Sequence, residues 1–205
     1  PLAFMAPSLR RAGAVKIVAI THGHEVWWSK VFPFNLAMRR IGNGSDVLTY
    51  LGSFTRDAME RAVGKKAKLV QIAPGISIEH FVPGPKPIDL VNKYQLSGRP
   101  IIISVGRLVH RKGQDKLIEA MPKIVAKIPN VALVLIGTGP YLDHLKGLVK
   151  KFNLEDNVLF LGRLTYEELP AHLLLGDLFA MPSRSRFFGL EVEGLGIVYL
   201  EASAC

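Results

Sequence analysis

The sequence predicts an α/β protein made of two Rossmann-like units in series. Short β-branched runs alternate with helical patterns along the whole chain, and one Pro/Gly-rich passage interrupts that alternation near the middle. Alternation of this kind marks parallel strands joined by crossover helices, and a break of this kind marks a boundary between domains. A hydrophobic content of 49% over 205 residues is enough for one large core or two smaller ones.

The elements follow in order. "VKIVAIT" (Val15 to Thr21) reads as a strand, and Phe34 to Ile41 carries a helical pattern. "DVLTYL" from Asp46 is the next strand. Ser53 is placed to cap "FTRDAMERAV", in which Asp57 and Arg61 are (i, i+4) neighbours. "KLVQI" (Lys68 to Ile72) is a third strand. Pro83, Pro85, Pro87 and Pro100 then mark a connection, so residues 1–83 read as one unit, 84–98 as the linker and 99–205 as the second unit. In the second unit "IIISVG", "VALVLIG", "NVLFLG" and "LFAMP" are strands, and "GQDKLIEAMPKIVAKI", "PYLDHLKGLVKKFN" and "YEELPAHLLLG" are helices. "IVYLEASA" reads as a last amphipathic helix. Doubly wound sheets are usually larger, so each unit is expected to be incomplete.

The net charge is +9, and residues 1–83 hold 11 Lys/Arg against 5 Asp/Glu. Arg10-Arg11, Arg39-Arg40 and Lys65, Lys66 and Lys68 form clusters that either attract phosphates or simply stay solvated. No helix pattern carries a dense basic face, and no RNA-recognition aromatic motif occurs, which argues against a nucleic-acid partner. The single cysteine, Cys205, excludes an internal disulfide or a cysteine cluster. No run approaches a membrane span, and no signal peptide is evident, so a cytoplasmic location is expected.

Ligands of parallel sheets bind at the carboxyl ends of the strands, so the residues after each strand are the candidates. "RLVHRKG" follows "IIISVG" and brings Arg107, Lys112 and Gly113 together: two cations beside a backbone that a diphosphate can approach. Gly137-Thr138-Gly139 is not a dinucleotide fingerprint, because Leu142 stands where its third glycine belongs. Gly139 instead lets the chain turn into a helix opened by Pro140. In "GLEVEGLGIVYLEASA", Glu193 and Glu201 are separated by seven residues, with Gly194 and Gly196 before the helix. Amides at such a helix start suit an anion or a polar sugar, and the two carboxylates can accept hydroxyl hydrogen bonds. A hydrolase is disfavoured: Asn43 precedes Ser45 where G-x-S-x-G needs glycine, and Trp28 ends the H-E-x-x-H pattern. The H-x-H pair His22 and His24 lacks a nearby third ligand at metal-site spacing.

"GRLVHRKGQDKLIEA", "VLIGTGP", "VLFLGRL" and "EGLGIVYLEASA" together resemble the second domain of retaining GT-B glycosyltransferases of glycosyltransferase family four. "APGISIEHFVPG" is similar to that family's interdomain passage. "THGHEVWW", "PFNLAMRRIG" and "DVLTYLGSFTRDAM" are similar to actinobacterial phosphatidylinositol-monomannoside mannosyltransferases. The resemblance implies a nucleotide-sugar donor, GDP-mannose, and a lipid-linked acceptor at an anionic membrane surface on the cytoplasmic face. It implies no cofactor and no obligatory metal, and the chain has no D-x-D. UDP- and ADP-sugars, and a non-catalytic nucleotide-binding fragment, stay open.

Roles follow by the same resemblance. Arg107 and Lys112 hold the diphosphate beside Gly113, Glu201 takes the ribose hydroxyls, and Glu193 engages the donor sugar. The amides of Gly194, Leu195 and Gly196 complete that cradle, Arg163 and Leu164 meet the base, and His22 or His24 faces the sugar. Trp27, Trp28, Lys30, Phe32 and Phe34 form an aromatic and basic stretch suited to a lipid interface, or to packing among themselves. The isolated chain is expected to be inactive, because the resemblance covers only part of each domain.

Overall fold

The computed structural model describes residues 2–23, 25–185, 193 and 195–205. By packing, the chain divides into two units, Pro1–Gly75 with Ser185–Gly196, and Ile76–Arg184 with Ile197–Cys205.

In the first unit β1 (Val18–Ala19), β2 (Val47–Tyr50) and β3 (Lys68–Gln71) pair in parallel in the order β1-β2-β3, with Val18 opposite Val47 and Val47 opposite Lys68. The first strand is shorter than "VKIVAIT" suggests, because side chains replace ladder bonds at its ends. Thr21 donates through its backbone N–H to Thr49 Oγ1 at 3.3 Å and through its hydroxyl to Thr49 O at 2.7 Å. At the other end the Ile17 N–H donates to Asp46 Oδ2 at 2.8 Å, and Arg10 pairs with the same oxygen at 2.6 Å. Arg10 is therefore engaged in fixing the entry to β2.

Helices α1 (Ala6–Arg11), α2 (Glu25–Lys30), α3 (Phe34–Gly44) and α4 (Ser53–Val63) accompany this sheet. Ala19, Met38, Ile41, Leu48, Met59 and Val63 form its core. Two local expectations change. Ser53 is the first helical residue and Gly52 is the cap, its N–H donating to Thr55 Oγ1 at 3.1 Å while that hydroxyl donates to Gly52 O at 2.7 Å. Asp57 pairs with Arg56 at 2.7 Å, not with Arg61, since the Arg56 guanidinium reaches its neighbour's carboxylate through two nitrogens.

In the second unit β4 (Ile101–Val105), β5 (Ala132–Ile136), β6 (Val158–Gly162) and β7 (Leu178–Phe179) form a parallel sheet in the order β6-β5-β4-β7. Every residue of β5 is buried. This is why "ALVLI" reads as an unbroken apolar run rather than an alternating one. Leu133 and Leu135 pack with Leu108, Ile118, Met121 and Leu145 on one face. Ala132, Val134 and Ile136 pack with Val91, Leu96 and Leu175 on the other. Helices α6 (Gln114–Val125) and α7 (Leu142–Lys151) supply the first face.

The Pro-rich passage 84–98 is more ordered than its composition indicates. It forms helix α5 (Ile88–Lys93), and its Val91 and Leu96 are buried in the second unit's core. Tyr94 donates its hydroxyl to His172 Nε2 at 3.0 Å, and His172 Nδ1 donates to Glu168 O at 2.8 Å, tying α5 to helix α8 (Leu169–Leu173). The entry to β7 repeats the device seen at β2: Asp177 Oδ2 accepts from the Ile101 N–H at 2.8 Å, while Lys86 pairs with the other oxygen at 2.7 Å.

The last helix, α9 (Ile197–Ala204), spreads its apolar residues around the axis rather than gathering them on one amphipathic face. Ile197, Tyr199 and Leu200 are exposed, and none of its residues is fully buried. No described helix is long and apolar enough to cross a membrane.

Candidate functional site

In the second unit the loops that leave β4, β5 and β6 are joined edge to edge by backbone hydrogen bonds. The Gly106 N–H donates to Ile136 O at 2.9 Å, Leu108 to Thr138 O at 3.0 Å, and Gly137 to Gly162 O at 2.7 Å. This close zipper explains the Gly137-Thr138-Gly139 run. A Cβ on Gly137 would lie 2.1 Å from Gly106 O, and one on Gly139 2.2 Å from Leu108 O. Gly139 thus serves a close approach to the neighbouring loop rather than only a turn into α7.

The rim so formed carries the predicted cations. Arg107 is exposed at the end of β4, and its carbonyl accepts from Gln114 Nε2 at 3.3 Å. The chain then makes a 3₁₀ turn, His110–Lys112, closed by Gly113 at φ 77°. Lys112 is half-buried, and its Cε lies 3.7 Å from where a Gly106 Cβ would stand, so the alkyl stem crosses the root of the Arg107 segment. Gly113 faces Pro182 O, which a Cβ would approach to 2.0 Å. Only glycine meets both requirements. The loop therefore brings Arg107, Lys112 and Gly113 together on one edge.

Arg163 and Leu164 follow β6 on the same sheet. Arg163 is exposed, while Leu164 packs against the core face that contains Ile136. Glu201 lies on α9. Burial pushes its carboxyl above the ordinary 4.5, and the charge of His80 opposes that rise. The helix is held at the end of β7, where the Tyr199 hydroxyl donates to Met181 O and the Tyr199 ring meets Phe179 edge to face at 5.5 Å.

His80 was not distinguished by any motif. It stacks on Tyr166 at 4.4 Å between centroids, with its Nε2–H donating to Tyr166 O at 3.0 Å, and Phe81 closes the cluster. "APGISIEHFVPG" carries no spacing signal that separates His80 from its neighbours, so only the fold finds it.

The remaining candidates belong to the first unit. Glu193, which is half-buried, Leu195 and Gly196 at φ 72° lie in the Ser185–Gly196 segment that groups with it. Gly194 and His24 lie outside the described residues. His22 is exposed just past β1, and its backbone N–H donates to Glu25 Oε2 at 3.0 Å at the start of α2. Trp27, Trp28 and Phe34 pack on one another at 4.7 to 6.1 Å, and Trp28 also meets the first unit's core. Phe32 is 75% exposed. Arg39 and Arg40 line an open groove of about 950 Å³ with Phe4, Pro7, Pro33 and Leu36, and Arg40 sits 5.0 Å over the Phe4 ring.

The two parallel α/β units have the fold of the GT-B glycosyltransferases. HepE from Anabaena, solved in complex with UDP, aligns over 100% of this chain and 55% of its own at a TM-score of 0.83 and 22% identity. Sucrose-phosphate synthase from Thermosynechococcus elongatus aligns over 99% of this chain and 51% of its own at a TM-score of 0.78 and 24% identity. The chain belongs to the family Glycosyl transferases group 1, whose model matches residues 89–205. It is 47% identical, over all of its length and 54% of the relative's, to the GDP-mannose-dependent alpha-(1-6)-phosphatidylinositol monomannoside mannosyltransferase of Mycolicibacterium smegmatis. A Corynebacterium glutamicum enzyme, named for the monoacylated form of that acceptor, is 42% identical over all of this chain and 54% of its own length. The chain thus spans about half the length of the curated relatives it matches.

Proposed function

We propose that this chain belongs to a retaining mannosyltransferase that moves mannose from GDP-mannose to a phosphatidylinositol mannoside at the cytoplasmic face of an anionic membrane. The observation that carries the proposal is the 47% identity extending through both units, because it includes the donor-side rim and the segment after β1 alike.

In this reading Arg107 and Lys112 bind the donor's diphosphate and neutralise the charge that grows as it departs. Preorganised cations of this kind supply much of the catalysis in such sites. Arg163 and Leu164 border the base. Glu201 accepts the ribose hydroxyls, Glu193 with the Gly194, Leu195 and Gly196 amides holds the sugar, and His22 is a further sugar contact. No metal or cofactor is required.

The bond from the anomeric carbon to the diphosphate oxygen breaks, and the acceptor hydroxyl oxygen forms its bond on the same face. The acceptor proton passes to a phosphate oxygen of the departing GDP. The exposed Phe32 and the Arg39-Arg40 pair rest against anionic headgroups.

The test is mass spectrometry of lipid products after the whole enzyme to which this chain belongs, not the 205-residue chain alone, meets vesicles containing phosphatidylinositol monomannoside. GDP-mannose is expected to add one hexose, and UDP-glucose and ADP-glucose none. Equal addition from a UDP- or ADP-sugar, or none from GDP-mannose, counts against the proposal.

A further inference from the structure

The His110–Lys112 turn is three residues long. The loop after β7 holds it. Arg184 donates through its backbone N–H to Arg111 O at 2.9 Å, through Nε to His110 Nδ1 at 3.2 Å, and through Nη2 to Asp115 Oδ2 at 2.8 Å. Lys112 therefore lies between two residues gripped by one guanidinium, His110 before it and Asp115 after it. Pro182, two residues ahead of Arg184, meets Gly113 from the same side.

The Arg184–Asp115 pair is more buried than the Arg10–Asp46, Arg56–Asp57 and Lys86–Asp177 pairs. The Asp115 side chain is 6% exposed and that of Arg184 23%, whereas the Lys116–Glu119 pair nearby is 55% and 39% exposed. Asp115 Oδ1 has no hydrogen-bond partner among the described residues. Exposed pairs can be lost at little cost, but removing Arg184 leaves a buried carboxylate without its counter-ion. Asp115 sits in the first turn of α6, where its charge also suits the helix dipole.

We infer that Arg184 is a positioning residue for the diphosphate site: its guanidinium locks the turn that presents Lys112 without itself touching the donor. The inference rests on the reading that Arg107 and Lys112 hold the diphosphate. A flexible cation loses binding free energy to the ordering of its loop, and a loop locked beforehand does not. The fork of arginine is needed because it meets an imidazole nitrogen and a carboxylate oxygen at once, which a lysine cannot do with the same geometry.

Calorimetric titration with pyrophosphate, GDP and guanosine separates the possibilities. Arg184→Met is expected to weaken pyrophosphate and GDP by about tenfold, the scale of one charge-assisted hydrogen bond, and to leave guanosine unchanged. Arg184→Lys should recover part of the loss. Asp115→Asn keeps the side chain's shape and covers the case in which Arg184→Met fails to fold. Its sign is decisive, because a positioning role predicts weaker pyrophosphate binding. Tighter binding would mean that a released Arg184 reaches the phosphates itself, which overturns the inference.

Equal losses for guanosine and pyrophosphate would show a general structural role and also overturn it. If Arg107→Met and Lys112→Met weaken pyrophosphate but Arg184→Met and Asp115→Asn do not, the site stands and the positioning role fails. If Arg107→Met and Lys112→Met leave pyrophosphate binding intact, the diphosphate reading fails first and the inference with it.

Discussion

Replacing Gly113 by alanine tests why the cationic turn has its shape. Gly113 sits at φ 77°, where an L-residue is disfavoured by about 1–2 kcal/mol. The added Cβ would stand 2.0 Å from Pro182 O, so the β7 loop must withdraw by about 1.4 Å to reach the 3.4 Å at which ordinary contact begins. Forcing a backbone apart in this way costs about 1–3 kcal/mol more. Gly98 is the matched control, with φ 66° and nothing within 4 Å of its Cβ position.

Gly98→Ala should therefore cost only the conformational part, about 1–2 kcal/mol, and Gly113→Ala about 2–5 kcal/mol. Urea unfolding followed by circular dichroism reads both. Tryptophan emission serves as a check, because both tryptophans, Trp27 and Trp28, lie in the first unit. Gly113→Ala should also weaken GDP binding, since Pro182 leads directly to Arg184. Equal unfolding midpoints for the two variants would refute the argument from Pro182.

Four further outcomes are expected. Glu201 has a carboxyl raised above 4.5, first by burial, so the folded state loses stability as pH climbs from 4.5. Glu201→Gln should raise the unfolding midpoint at pH 7, with the gain closing toward pH 4.5, and should weaken guanosine binding. Asp46 is held below 3.8, first by the Ile17 N–H and then by Arg10, so its contribution is complete above 3.8 and lost as pH falls further. Asp46→Asn should lower the tryptophan-detected midpoint at neutral pH and converge with wild type in acid. Leu135, fully buried in β5, should cost about 2–5 kcal/mol on truncation to alanine, read by urea unfolding. His22→Ala should reduce mannosyl transfer far more than GDP-mannose binding; equal reductions would remove His22 from the sugar's side.

The elements legible in the sequence were those with a strong period. "ALVLI" and "IIISV" are strands because β5 and β4 bury their side chains, and burial writes itself into hydrophobicity. What escaped was set by single contacts. Thr21 and Thr49 shorten β1 through their side chains, and Gly52 caps α4 through Thr55, neither of which has a periodic signature. Residues 84–98 read as a linker because Pro85 and Pro87 lie within them and Pro83 and Pro100 flank them, yet the apolar positions Val91 and Leu96 decide where they pack.

On the rim, Arg107 and Lys112 could be found from their place after a strand. Arg184 could not, because its partners His110 and Asp115 are 74 and 69 residues away and meet it only in the fold. His80 and Tyr166, 86 residues apart, pose the same difficulty.

The central claim is that this chain binds a guanine nucleotide sugar through the Arg107–Lys112 rim, and thermal unfolding in the presence of nucleotides tests it most directly. At about 100 times its Kd a ligand stabilises the folded state by about 2.7 kcal/mol, which for a unit of this size raises the midpoint by about 10 °C. GDP-mannose should produce such a rise in the second unit, Arg107→Met should abolish it, and NAD and RNA should have no effect. No rise with GDP-mannose, an equal rise with NAD, or a rise that survives Arg107→Met would contradict the account.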